Sequence, residues 1–166
     1  KKLDVPVVTV MTEGAFLRDP LYNGLQKRKT KVSATVKCLF TTEEVRSFDA
    51  DKLSVILEKE FTFDNFARQV ETNTHITEKF RADSLNRVLY KCPNCFAEGE
   101  TLGKGTTLTC KKCGKVYTLT EEGFMQAQDG KTEFSHIPDW YNWQRECVRA
   151  EVLTGEYKLE EAVDIY

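Results

Sequence analysis

Cys92-Pro93-Asn94-Cys95 and Cys110-Lys111-Lys112-Cys113, with fourteen residues between them, decide how this chain is read. Two thiolates two residues apart on a tight turn can hold one side of a metal ion. A second pair returned by a hairpin completes a tetrahedron, the closed geometry of a structural zinc site. The intervening sequence suits that return. Thr101-Leu-Gly-Lys-Gly105 reads as a turn, and Thr106-Thr-Leu-Thr109 and Val116-Tyr-Thr-Leu119 are β-prone runs flanking the second knuckle. Gly114, directly after Cys113, supplies a residue that tolerates positive φ, so that backbone N–H groups can turn toward sulfur. Residues 88–119 are therefore expected to form a zinc ribbon, with Cys92, Cys95, Cys110 and Cys113 as ligands of a structural Zn2+.

Other chemistries compete for the same pattern. Two disulfides are disfavoured, since no signal peptide is recognisable and Cys38 and Cys147 would be left over. A thioredoxin-like pair needs a helix opening on its CxxC, whereas Pro93-Asn94 leads into Phe96-Ala-Glu-Gly99. Iron in a knuckle pair of this kind is not distinguished from zinc by spacing, because four thiolates suit either metal. Cys38 and Cys147 lie in apolar periodic segments and read as buried packing thiols.

The chain has 166 residues, 40% hydrophobic and 30% charged, and a formal net charge of −2. Residues 1–85 carry fourteen basic and thirteen acidic side chains, residues 86–119 six and two, and residues 120–166 four and eleven. A mildly basic ribbon beside an acidic tail is not the broad basic face of a nucleic-acid binder. No run of eighteen apolar residues is present to span a bilayer.

The organisation is expected to be α+β in three parts: a mixed α/β portion over 1–85, the ribbon over 86–120, and an acidic helical region over 121–166. Val7-Val-Thr-Val-Met11 reads as a strand buried in a sheet. Residues 13–30, with Asp19-Pro20 and Asn23-Gly24, read as an irregular crossover whose Lys27-Arg-Lys29 and Lys31 form a solvated basic cluster. Period-two alternation of Val32, Ala34, Val36 and Cys38 predicts a second strand, and Thr41-Thr-Glu-Glu44 matches a capping box. Residues 50–60 form an amphipathic helix on Leu53, Ile56 and Leu57. Phe63, Phe66 and Val70 continue at helical spacing as a core stripe. Arg81-Ala-Asp-Ser84 reads as a linker into a first ribbon strand at Val88-Leu-Tyr90. After turns at Glu121-Glu-Gly123 and Asp129-Gly-Lys131, a helix is expected from about 138 to 154. Pro138 and Asp139 sit in its first turn, Trp140, Trp143, Cys147 and Val148 on its apolar stripe, and Gly155 at its end. The apolar alternation of Ala162-Val-Asp-Ile-Tyr166 and the abrupt start on a strand suggest a segment of a longer protein, with open sheet edges that invite pairing between copies.

Several blocks together resemble the C-terminal part of bacterial proteins of the phospholipid and glycerol acyltransferase family, the 1-acyl-sn-glycerol-3-phosphate acyltransferases, in the variety with a zinc ribbon after the catalytic domain. They are Leu3-Asp-Val-Pro-Val-Val-Thr-Val10, residues 31–45 with the 50–60 helix, Asn86-Arg-Val-Leu-Tyr-Lys-Cys-Pro-Asn-Cys95, and Glu133-Phe-Ser-His-Ile-Pro-Asp-Trp-Tyr-Asn-Trp143. The resemblance implies an upstream catalytic domain that transfers an acyl group from acyl-CoA or acyl-carrier protein to a lysophospholipid-like acceptor. It also implies a cytoplasmic location or peripheral association with the inner membrane face. Acyl transfer in that family depends on a His followed four residues later by an Asp, the His as general base and the carboxylate orienting it. His75 has Lys79 or Phe80 at that position, depending on the count, neither of them acidic, and His136 has Asp139 only three residues on. The family's phosphate-binding motif is absent too, and Glu13-Gly14-Ala15-Phe16 does not replace it. No catalytic or substrate-binding residue is assigned. The alternative reading is a stand-alone zinc-ribbon module for nucleic acid or protein, supported by Tyr90, Phe96 and Tyr117 on the ribbon; a small iron electron carrier is a third.

Overall fold

A computed structural model describes residues 4–158, and the expectation for the 162–166 segment lies outside them. The chain divides into two compact units. One runs to Glu78 and adds Glu121–Gly123; the other takes Lys79–Thr120 and the chain from Phe124 onward. These limits differ from the three-part division at 85 and 120, because residues 79–85 and the C-terminal helix belong with the ribbon.

In the first unit, β1 (Val7–Glu13) and β2 (Ser33–Phe40) pair antiparallel. The 14–32 segment joining them is thus the connection of an antiparallel pair. It carries α1 (Ala15–Arg18) and a single 3-10 turn at Leu21–Asn23. The register sets Val8 opposite Cys38, Val10 opposite Val36 and Thr12 opposite Ala34, all on one face. That face is open: Val10 is 60% and Val36 68% exposed, and Cys38 is exposed too. The expectations of a β1 buried in a sheet and of a buried Cys38 are both corrected. The period-two alternation does form a strand, but the covered face is the opposite one. There Thr9 and Lys37 both reach Glu60, at 3.3 and 2.7 Å.

Glu60 lies on α3 (Ala50–Phe61), which Asp49 caps by accepting from Lys52 N at 2.7 Å. Leu53, Ile56 and Leu57 lie on its half-buried side as expected. Before it, α2 (Thr42–Ser47) starts on the predicted capping box. Thr41 Oγ1 accepts from Glu44 N, and Thr41 N donates to the Glu44 carboxylate. Asp64 accepts from Phe66 N and Ala67 N and so starts α4 (Asn65–Glu71) beyond Phe63. The cap breaks the expected core stripe. Phe63 and Val70 are exposed, and Phe66 alone of the three packs on an aromatic, edge-on to Phe16 at 5.7 Å. The basic cluster is split as well, since Arg28 is buried with its guanidinium on the Tyr22 hydroxyl at 2.8 Å.

The second unit is a four-stranded antiparallel meander, β3 (Thr101–Lys104), β4 (Thr107–Cys110), β5 (Val116–Leu119) and β6 (Met125–Ala127), in that order. Residues 101–104 are therefore a strand and not a turn; the reversal occurs at Gly105-Thr106. β3 tolerates no side chain at Gly103, where a Cβ would stand 2.4 Å from the Ala82 carbonyl oxygen and 2.5 Å from Leu85 N. The 81–84 stretch is no linker. Ala82 is fully buried, Arg81 Nε donates to the Leu119 carbonyl at 2.7 Å, and Ala82 N and Ser84 N donate to the carbonyls of Gly105 and Gly103. Tyr117, Leu108, Met125, Leu85, Leu89 and Trp140 form the core of this unit. The last element, α5 (Ile137–Thr154), begins with Pro138 and Asp139 in its first turn and ends on Gly155 at φ 73°, as expected.

Candidate metal centre

The two knuckles are built alike. Phe96 N donates to Cys92 O and Gly114 N to Cys110 O, both at 2.9 Å. Cys92 N pairs with Ala97 O and Cys110 N with Lys115 O, again at 2.9 Å. Each turn therefore requires a left-handed residue directly after its second cysteine. Gly114 fills that position at φ 75°, and Phe96 fills it at φ 59°. The two turns approach each other so that the four Sγ atoms lie within 4.8 Å of one another, with Cys92–Cys113 at 3.8 Å and Cys95–Cys110 at 3.6 Å. A tetrahedron with metal–sulfur bonds of ~2.3 Å has edges of about 3.8 Å. All six cysteines are free, and these spacings exclude a disulfide within the cluster. All four predicted ligands are brought together. Neither Cys38, Cys147, His75 nor His136 joins them.

The sulfurs are not equivalent. Cys92 and Cys110 are buried, Cys95 is half-buried and Cys113 is exposed. Desolvation pushes the Cys92 thiol up to about 12 and raises that of Cys110, even though each accepts two backbone N–H groups of its own turn. Cys113 moves the other way. Against a desolvation that would raise it, the Lys115 N–H, the Asn94 carboxamide and the neighbouring thiols bring it down to about 6. A cation entering the cluster must displace protons from the two buried thiols, so its affinity falls as acid is added.

The surroundings of the site were only partly legible in sequence. The expected strand at Val88-Leu-Tyr90 does not form: after a 3-10 turn (Leu85–Arg87) the chain runs irregularly to a single bridge, Lys91 to Glu98. Its polar groups are satisfied from α5 instead. Gln144 Oε1 accepts from Tyr90 N and Lys91 N at 3.1 and 3.3 Å, and Gln144 Nε2 donates to Val88 O at 2.5 Å. Trp140 Nε1 donates to Lys91 O at 2.9 Å, and the indole meets Tyr117 edge-on at 4.8 Å. A glutamine one turn after Trp140, on the buried stripe, was the available signal. Trp143 is half-buried between Phe96 and Phe134. Cys147, read as a buried thiol, is half-buried.

The two histidines lie apart from the cysteine cluster. His136 caps α5 through its backbone. His75 Nδ1 lies 3.3 Å from a Glu122 carboxylate oxygen on exposed surface, a pairing no four-residue spacing reveals. Among the described residues no helix is long and apolar enough to cross a membrane. Comparison with protein-family models, curated proteins and solved structures gives no match for this chain.

Proposed function

We propose that the second unit is a zinc-ribbon binding module that engages protein, with a structural Zn2+ held by Cys92, Cys95, Cys110 and Cys113. The observation that carries this is Phe96. It occupies the left-handed position that its counterpart Gly114 occupies without strain, and it is 61% exposed. A bulky residue held in that conformation costs about 1–2 kcal/mol, and backbone strain kept at a surface aromatic points to use. Leu102 adds exposed apolar surface elsewhere on the ribbon.

Charge argues against nucleic acid as the partner. The second unit carries twelve basic and twelve acidic side chains. Lys91 and Lys115 are held by Glu151 and Glu133. Of the three ribbon aromatics that a nucleic acid could stack on, Tyr117 is buried, Tyr90 is half-buried and Phe96 alone is exposed. A photo-crosslinking residue at position 96 should give a discrete protein adduct in cells, and the same residue at Gln126 should not. Saturable, salt-dependent binding of labelled DNA or RNA by the zinc-loaded chain would overturn the assignment.

A second reading keeps the acyltransferase resemblance, favoured by the order of the Pro-Val-Val strand, the knuckles and the tryptophan helix in sequence. In that reading this chain is a non-catalytic portion of a larger enzyme, and alone it transfers no acyl group to a lysophospholipid acceptor. Measurable transfer by the purified chain would refute that non-catalytic role.

A further inference from the structure

The two knuckles share one hydrogen-bond ladder, and one side chain breaks their equivalence. Asn94 and Lys112 occupy corresponding positions, each immediately before the second cysteine of its turn. Asn94 Nδ2 donates across the cluster to Cys113 Sγ at 3.5 Å. Lys112 is exposed, and Asn94 is the residue whose side chain donates to a sulfur of the opposite knuckle. The sulfur it reaches is the exposed one of the four.

We infer that Asn94 is a positioning residue that guards the open side of the metal centre, holding the Cys113 thiolate in place and lowering its reactivity toward electrophiles. This rests on the reading of the four cysteines as a metal site. A metal-bound thiolate remains a nucleophile through its free lone pairs, and a hydrogen bond to sulfur draws on that electron density. Removing a hydrogen bond to a metal-ligating atom commonly alters metal affinity by about 10–100-fold. Cys92 and Cys110 need no such cover because burial already excludes reagents. Cys113 lacks that protection, and the carboxamide supplies it.

The test uses the zinc-loaded full chain and iodoacetamide. In the step followed, the Cys113 sulfur attacks the reagent's methylene carbon, an S–C bond forms, the C–I bond breaks and iodide leaves. A zinc dye reports the ion released and mass spectrometry locates the adduct. Asn94→Ala and the isosteric, donor-less Asn94→Asp should react about tenfold faster than wild type, a change of the size expected for such a hydrogen bond, with the first adduct on Cys113. Lys112→Ala should react at the wild-type rate. With Co2+ in place of zinc, Asn94→Ala should shift the thiolate-to-metal charge-transfer band to lower energy, a change that loosened packing alone does not produce. A wild-type rate in Asn94→Ala, wild-type behaviour in Asn94→Asp, or a first adduct on another cysteine would overturn the inference. Failure of the metal-site reading is distinguishable, because wild-type protein would then release no stoichiometric zinc.

Discussion

The indole N–H of Trp140 donates to the backbone carbonyl of Lys91, the residue that precedes the first cysteine of the cluster. Helix α5 is thereby joined to the first knuckle, and Gln144 one turn later carries the same attachment to Val88, Tyr90 and Lys91. Sequence alone suggests a ribbon that melts by itself on loss of metal, because it holds few large apolar residues. The shared core gives a different expectation.

Chelation should release α5 together with the ribbon, since the helix is docked on a segment that the metal organises. Hydrogen exchange after treatment with a strong chelator should show protection falling together in β3–β5 and in residues 140–151, while α3 in the first unit keeps its protection. Retained protection in 140–151 would show that α5 is anchored independently of the metal.

Gln144 is fully buried and makes three hydrogen bonds to backbone. Gln144→Ala leaves those groups unsatisfied and should destabilise the second unit by about 2–4 kcal/mol. The exposed neighbour Arg145→Ala should change stability by less than about 0.5 kcal/mol. Urea unfolding of the zinc-loaded protein measures both.

Lys91 has a buried ammonium with Glu151 at 2.6 Å and Glu98 at 3.6 Å. Burial acts to lower its pKa, but the hydrogen bond to Glu151 and the charges of Glu151 and Glu98 together raise it above the ordinary lysine value. A raised lysine stabilises the fold fully below the unfolded pKa of about 10.4 and loses that contribution as pH climbs through the folded value. Glu151→Gln should therefore cost about 1.5–3 kcal/mol at pH 7, the range for a hydrogen bond to a charged group, and the gap to wild type should close as pH rises through the raised folded value of Lys91. A gap that widens with alkali would contradict the assignment.

Two glycines separate steric from conformational demands. Gly114 has φ 75° and open space where a Cβ would go, so Gly114→Ala should cost about 1 kcal/mol from backbone strain alone. At Gly103 the added carbon meets backbone atoms of Ala82 and Leu85 that cannot yield, and Gly103→Ala should prevent β3 from seating. Thermal unfolding of the two variants should differ by well over 5 °C, about the shift that 1 kcal/mol produces in a domain of this size.

What could be read from sequence was set by local chemistry. The knuckles, the Thr41 capping box, the Asp139 and Gly155 ends of α5 and the β4 and β5 strands are each specified within a few residues, and each formed where expected. The errors arose where distant residues decide. Alternation located β2 but not which face is covered, because that depends on Glu60 of α3 meeting Thr9 and Lys37. Polar Arg81 and Asp83 suggested a linker, yet the segment is held by carbonyls and an amide on β3, β5 and the turn between β3 and β4. The Asn94 contact with Cys113 needs both knuckles folded, so no local pattern announces it.

Whether the four cysteines hold one structural metal ion is answered by metal analysis of the purified full chain. Colourless protein with about one zinc per chain is expected, and that zinc should be lost in a Cys92→Ser/Cys110→Ser variant. Full zinc retention by that double variant, or wild-type protein with the strong visible absorbance of a ferric tetrathiolate and no zinc, would contradict it.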